Sequence, residues 1–206
     1  MFPRTGMSTD HYRTLAEPAE HRQKIERSDF LGIAFPIASD DEFFAELERV
    51  QKRNFDATHH CWAFRLFDRL QGGRQRSSDA GEPSGTAGKP ILSAIEGASL
   101  YDLGVIVVRW YGGVKLGTGG LGRAYRDTAA EALREAKTLD RYVYERVRVA
   151  LPFSALSTMY RMVHPPDVVL VSEEFGETNE FTFDVRASLA EGFRKALIEK
   201  RLVVLE

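Results

Sequence analysis

The chain has 206 residues, 43% hydrophobic and 28% charged, with a formal charge of −2. That length and apolar content suit one large or two small globular domains with real cores, and they exclude a disordered or fibrous chain. The near-neutral balance excludes the global basic excess of many nucleic-acid binders and leaves room only for a local patch, while the single cysteine, Cys61, excludes an internal disulfide framework and fits a reducing compartment.

The polar opening, residues 1–28, lacks a signal-peptide pattern and reads as a partly disordered lead in which Met7 is a second candidate start. No apolar run approaches the ~20 residues that span a bilayer, so a cytoplasmic protein without membrane contact is expected. From Asp29 to Ile37 the run DFLGIAFPI has strand character. Ser39, Asp40, Asp41 and Glu42 then supply an N-cap and acidic first turn for a helix over 41–54, with Phe43, Phe44, Leu47 and Val50 on one face. Residues 58–68 alternate with period two, predicting a half-buried strand with His60, Trp62, Phe64 and Leu66 on one side and His59, Cys61, Ala63 and Arg65 on the other. The glycine-rich stretch SDAGEPSGTAGKP follows, and Pro90 opens a helix reaching Ala98. Next come a buried strand over 104–111, the second glycine-rich stretch WYGGVKLGTGGLGRAY, and a helix over 119–137 with a stripe of Leu121, Tyr125, Ala129, Ala132, Leu133 and Ala136.

Residues 138–144 read as a connection, with a boundary near 142 that separates a domain of 29–142 from one of 143–206. In the latter, Val147, Val149 and Leu151 alternate, and Ala155, Leu156, Met159, Tyr160 and Val163 suit a short helix. Residues 168–175 and 180–186 suit a hairpin about Gly176 and Glu177. Leu189, Phe193, Ala196 and Leu197 suit a second helix, and residues 202–205 a last strand. The β-α-β-β-α-β order is that of a ferredoxin-like unit.

Clustered glycine lets a ligand approach the main chain, so both loops read as receiving surfaces, with a polyanion as first candidate. Between Gly104 and Arg126 the chain holds Arg109, Lys115, Arg123 and Arg126 and no acid. In the first loop, the amides of Gly85, Thr86, Ala87 and Gly88 and the hydroxyls of Ser84 and Thr86 precede a helix and suit an anion; the alternative is that the glycines only permit a tight turn. The loop is not a Walker A motif, because Pro90 follows Lys89. In the second, Gly112, Gly113, Gly117, Gly119, Gly120 and Gly122 clear the start of the long helix, where Lys115, Arg123 and Arg126 suit phosphate. Trp110 and Tyr111 read as groove walls or stacking platforms. His59 and Cys61 share a strand face, and Asp79 is a conceivable third ligand, but zinc wants at least three and no metal or other cofactor is predicted. The rival reading is a small-molecule enzyme at the same loops, a nucleotide-dependent enzyme or a hydrolase of a phosphorylated ligand. It would use Asp79 and Glu82 as base or metal contacts and Lys115 or Arg123 against developing charge.

RSSDAGEPSGTAGKPIL together with VIVVRWYGGVKLGTGGLGRAY closely resembles the double signature of the IMPACT family, also called the YigZ family, and ATHHCWAFRL matches its third block. The match covers roughly residues 29–136, and the order of the last third is similar to the second domain of bacterial members. The resemblance implies an α+β protein: an N-terminal domain of the ribosomal-protein-S5 domain-2-like type and a C-terminal ferredoxin-like domain similar to one in elongation factor G. The two loops with Arg109, Lys115, Arg123 and Arg126 are expected to line one groove of a non-enzymatic protein that takes RNA or a translation-associated partner, and the resemblance implies a role in translation, which eukaryotic relatives with this domain regulate. Two positions depart from the pattern: Ala80 stands where the family has a second acid, which counts against mechanisms that need an acidic pair, and the aromatic pair is Trp110-Tyr111. Gly120-Leu121-Gly122 also resembles the phosphate loop of GHMP-type kinases, although Arg123 stands where those have a small hydroxyl residue.

Overall fold

The computed structural model describes residues 10–68 and 73–205, which fall into two compact units. One runs from Tyr12 to Asp140; the other comprises residues 141–205 with Asp10 and His11. The choice between Met1 and Met7 lies outside the described residues.

In chain order the first unit and its flanks contain β1 (His11–Leu15), β2 (Ala19–Ile25), β3 (Ser28–Pro36), α1 (Asp40–Arg53), β4 (His59–Leu66), β5 (Arg74–Ser78), α2 (Gly88–Ala98), β6 (Leu103–Trp110), α3 (Gly117–Glu135) and β7 (Thr138–Tyr142). Five strands form an antiparallel sheet in the order β2-β3-β6-β4-β5, while β1 pairs with β7. Helix α1 begins where the sequence predicts: the Glu42 amide donates to the Ser39 hydroxyl, and the Glu42 carboxylate reaches back to the Ala38 amide.

Both faces of this sheet are covered. Phe30, Ala34, Cys61, Ala63, Val105 and Val107 pack with Ile91 and Ile95 of α2 and Leu121, Tyr125 and Ala129 of α3. The alternate residues Leu31, Ile33, Phe35, Phe64, Ile106 and Val108 pack with Phe43, Leu47 and Val50 of α1. Such two-sided burial is why β3 and β6 read as unbroken apolar runs, while β4 is half buried as its alternation suggests, with Cys61, Ala63, Phe64 and Leu66 buried and its other four residues intermediate. The lead also differs from expectation, because residues 11–15 and 19–25 are strands. Strand β2 is a polar edge held by its main-chain ladder to β3 and by side-chain bonds such as Gln23 Nε2 to Thr128 Oγ1 at 2.6 Å. Strand β5, RQRSS, is the opposite edge, and β7 occupies residues that read as a connection.

The second unit contains β8 (Tyr144–Leu151), α4 (Leu156–Tyr160), β9 (Val168–Glu174), β10 (Asn179–Arg186), α5 (Ala190–Glu199) and β11 (Val203–Leu205). The sheet order β11-β8-β10-β9 is the 4-1-3-2 arrangement of a ferredoxin-like unit. Val147, Val149, Leu151, Phe181, Phe183 and Val185 bury one face against Met159, Phe193 and Leu197. Charge pairs occupy the other face, with Arg146 on Asp184 at 2.8 Å and Arg148 on Glu180 at 2.7 Å. Asp10, 3% exposed, accepts from Arg186 Nη2 at 2.6 Å and from the Ser188 amide and hydroxyl at 2.9 and 2.6 Å.

Candidate anion-binding site

The first glycine loop is folded around Asp79. Its carboxylate accepts from the amides of Gly85 at 2.7 Å, Ala87 at 2.9 Å and Gly88 at 2.8 Å. The Thr86 amide and hydroxyl both donate to the Pro83 carbonyl, at 3.0 and 2.6 Å. The amides expected to receive an outside anion are therefore engaged by an internal one. Burial alone would raise the Asp79 pKa, but the three amides and the charge of Lys89 outweigh it and hold the carboxyl below its usual range. Gly88 is required for packing: a Cβ there would lie 2.7 Å from the Ser78 amide nitrogen, at the end of β5. Ser84 is exposed on the same loop.

Beneath the loop lies a buried ion pair. Arg109 is 4% exposed, Glu82 is 9% exposed, and Arg109 Nη1 donates to Glu82 Oε1 at 2.5 Å. The same oxygen accepts from the Tyr125 hydroxyl at 2.7 Å, and Arg109 Nη2 donates to Ser28 Oγ at 3.2 Å. Arg109 is thus no part of an exposed cationic groove; a guanidinium out of water needs a carboxylate, and Glu82 supplies it. His59 stands at the edge, with Nδ1 3.0 Å from the Ala80 carbonyl and Nε2 3.9 Å from Glu82 Oε1. The Cys61 thiol donates to the Asp79 carbonyl at 2.9 Å. Burial above all pushes the Cys61 pKa up to about 12; a Tyr125 contact opposes the shift and the Glu82 and Asp79 charges add to it. This is a packed thiol and no nucleophile. The two carboxylates that an enzyme would need as base or metal contacts are both committed to internal donors.

Between α2 and α3 lies an open cleft of about 430 Å³, lined by Gly85, Lys89, Ser93, Gly119, Arg123 and Arg126 together with Pro90 and Gly122. Gly85 of the first loop meets Gly119 and Gly122 of the second here, and among the described residues no carboxylate lines the space. Lys89, Arg123 and the nearby Lys115 are exposed and make no hydrogen bond or ion pair among the described residues; Arg126 shares Asp127 at 3.3 Å. Helix α3 opens at Gly117, where φ is +68°, with no side chain capping it and no acid in its first turn. Its flank lines the cleft from Gly119 in the first turn to Arg126, and the positive end of a helix favours negative charge close by.

Other predicted site residues serve the frame. A Cβ on Gly112 would lie 1.6 Å from the Arg27 carbonyl oxygen, so this glycine permits a main-chain crossing. Gly113 takes φ +85°, and a Cβ on Gly120 would sit 3.2 Å from Leu116 Cβ; neither lines the cleft. The Trp110 ring is half-buried beneath the Arg22 guanidinium at 5.0 Å, whereas Tyr111 is exposed. Lys89 and Ser93 escaped the sequence reading, although Lys89 opening an acid-free helix beside Pro90 was a usable signal. The role of Asp79 was also legible, as an aspartate placed just before a turn whose amides it can accept.

Fold and site together define a two-domain α+β protein whose second unit is ferredoxin-like and whose first offers a basic, carboxylate-free cleft at a helix start. Residues 26–133 match the family model for the Impact N-terminal domain, and the chain belongs to the IMPACT family. IMPACT family member YvyE of Bacillus subtilis is 29% identical over 188 residues, covering 91% of this chain and 86% of its own. A Thermus thermophilus IMPACT family member is 43% identical over 139 residues, 68% of this chain and 73% of its own. A crystal structure of a hypothetical protein is 27% identical and aligns over 96% of this chain and 97% of its own, with a TM-score of 0.68.

Proposed function

We propose that this protein binds RNA by its phosphate backbone in the cleft between α2 and α3 and does so in the cytoplasm, in association with translation. The observation that carries the reading is the cleft lining: Lys89, Arg123 and Arg126 around glycines at an uncapped helix start, with no carboxylate among them. Kinship with the IMPACT family supports the link to translation. The engagement of Asp79 by amides and of Glu82 by Arg109 and Tyr125 weighs against a small-molecule enzyme at these loops.

Binding carried by phosphate contacts falls with salt, because each neutralised phosphate releases counterions. The test titrates a labelled RNA oligonucleotide at several salt concentrations with wild type, Lys89→Ala and Arg123→Ala. Each substitution is expected to weaken binding and to reduce the slope of log affinity against log salt by about one. Absent binding at low salt, or a slope that neither change moves, overturns the reading. A parallel thermal-shift panel of nucleotides separates it from the enzyme alternative, since saturation at about 100 times Kd stabilises by about 2.7 kcal/mol.

A further inference from the structure

The geometry points to unpaired nucleotides as the ligand of this cleft, with Tyr111 and Phe55 as platforms on which bases stack; the inference rests on the RNA reading above and deepens it. The end of α1, the start of β4, the end of β6 and both glycine loops gather at one end of the five-stranded sheet. Two aromatic rings are presented there: Phe55 is 85% exposed and Tyr111 44% exposed. Thr58 joins their segments, its amide donating to the Arg109 carbonyl at 2.8 Å and its hydroxyl accepting from the Tyr111 amide at 3.0 Å.

These rings differ from the other aromatics of the unit. Phe43, Phe44, Trp62 and Phe64 lie against one another with centroids 4.8 to 6.3 Å apart and fill the space under α1. Phe55, by contrast, buries almost nothing and contributes little to folding, so its ring is free to take a contact from outside. Tyr111 is held for the same purpose: the Arg109 guanidinium lies 5.2 Å from its ring centroid and is itself fixed by buried Glu82. A ring backed by an immobile cation loses little freedom when a base stacks on it. From Tyr111 to Gly117, where α3 opens, the chain can reach at most ~20 Å, which lies inside the ~4–16-nucleotide footprint of single-strand grooves. A duplex holds its bases paired and stacked and offers these rings nothing, whereas an unpaired strand can place phosphates in the cleft and bases on the rings.

The experiment measures fluorescence anisotropy at low salt with three labelled probes: a ~12-nucleotide RNA, an abasic strand of equal length, and the corresponding duplex. Wild type is expected to bind the intact strand at least ~5-fold more tightly than the abasic strand. It should also prefer the single strand to the duplex. Tyr111→Ala and Phe55→Ala each remove most of that preference and leave affinity for the abasic strand unchanged, which also reports that the variants are folded. Tyr111→Phe keeps it, while Arg123→Ala weakens intact and abasic strands alike. Equal affinity for intact and abasic strands, or tighter duplex binding, overturns base stacking and spares the backbone reading; failure of every probe to bind overturns both. Unchanged RNA binding by Phe55→Ala overturns the role of Phe55 and turns its ring toward a protein partner.

Discussion

Arg109 belongs to the interior. It follows Val105 and Val107 at alternate positions of β6, and all three face the layer under α2 and α3. The parity of a strand is visible in sequence, but the linear run of four cations around it is more conspicuous and ranks Arg109 with the exposed Lys115 and Arg123. Removing the guanidinium without its partner leaves Glu82 buried with, among the described residues, only the Tyr125 hydroxyl as a close donor. Arg109→Met is therefore expected to destabilise the fold by about 3–5 kcal/mol in urea denaturation. A loss below about 1 kcal/mol would mean that Glu82 reaches water once the arginine is gone.

At the scale of elements, the loop from Asp79 to Gly88 is a turn wound on one carboxylate. Asp79→Ala leaves the amides of Gly85, Ala87 and Gly88 without that acceptor, and with bonds to a charged group at stake the expected cost is about 3 kcal/mol. Asp79→Asn keeps one acceptor oxygen and should recover part of it; equal losses in thermal unfolding would contradict this geometry. The helices and strands β3, β4 and β6 were legible because their apolar spacing matches their burial. Strands β2 and β5 were not, since polar side chains such as Arg22, Gln23, Arg74 and Gln75 carry no such pattern and main-chain ladders to β3 and β4 hold them in place. The cleft was half legible: Arg123 and Arg126 stand out beside glycines, whereas Lys89 and Ser93 join them only when α2 is laid against α3.

Over the whole molecule, acid stability draws on both units. Asp10 is pulled below the usual aspartate range, since its bonds to Arg186 and Ser188 outweigh the opposing effect of burial, and Asp79 is lowered by its amides. A lowered native pKa contributes stability that is complete above the unfolded value of about 3.9 and is lost as pH falls through the native value. His60 is lowered mainly by burial, so its share of the loss begins nearer pH ~6.5, where the unfolded chain first takes up the proton. Asp10→Asn and Asp79→Asn are each expected to lower stability at neutral pH and to flatten the curve below pH ~4. With no shared hydrogen-bond partner, the two effects should add in the double variant. An acid limb as steep in the double variant as in wild type would contradict the assignment. The ferredoxin-like order of the second unit was readable end to end, whereas the place of Asp10 in it was not, because a single aspartate in a polar lead carries no periodicity. The carboxylate inside the first loop has one more effect: the turn brings its own counter-ion, so inorganic phosphate and mononucleotides find that nest already taken. On the RNA reading proposed above, selectivity is expected at the start of α3, where a solitary anion would gain one weak hold and a polymer several at once, so that affinity would track the length of the anion.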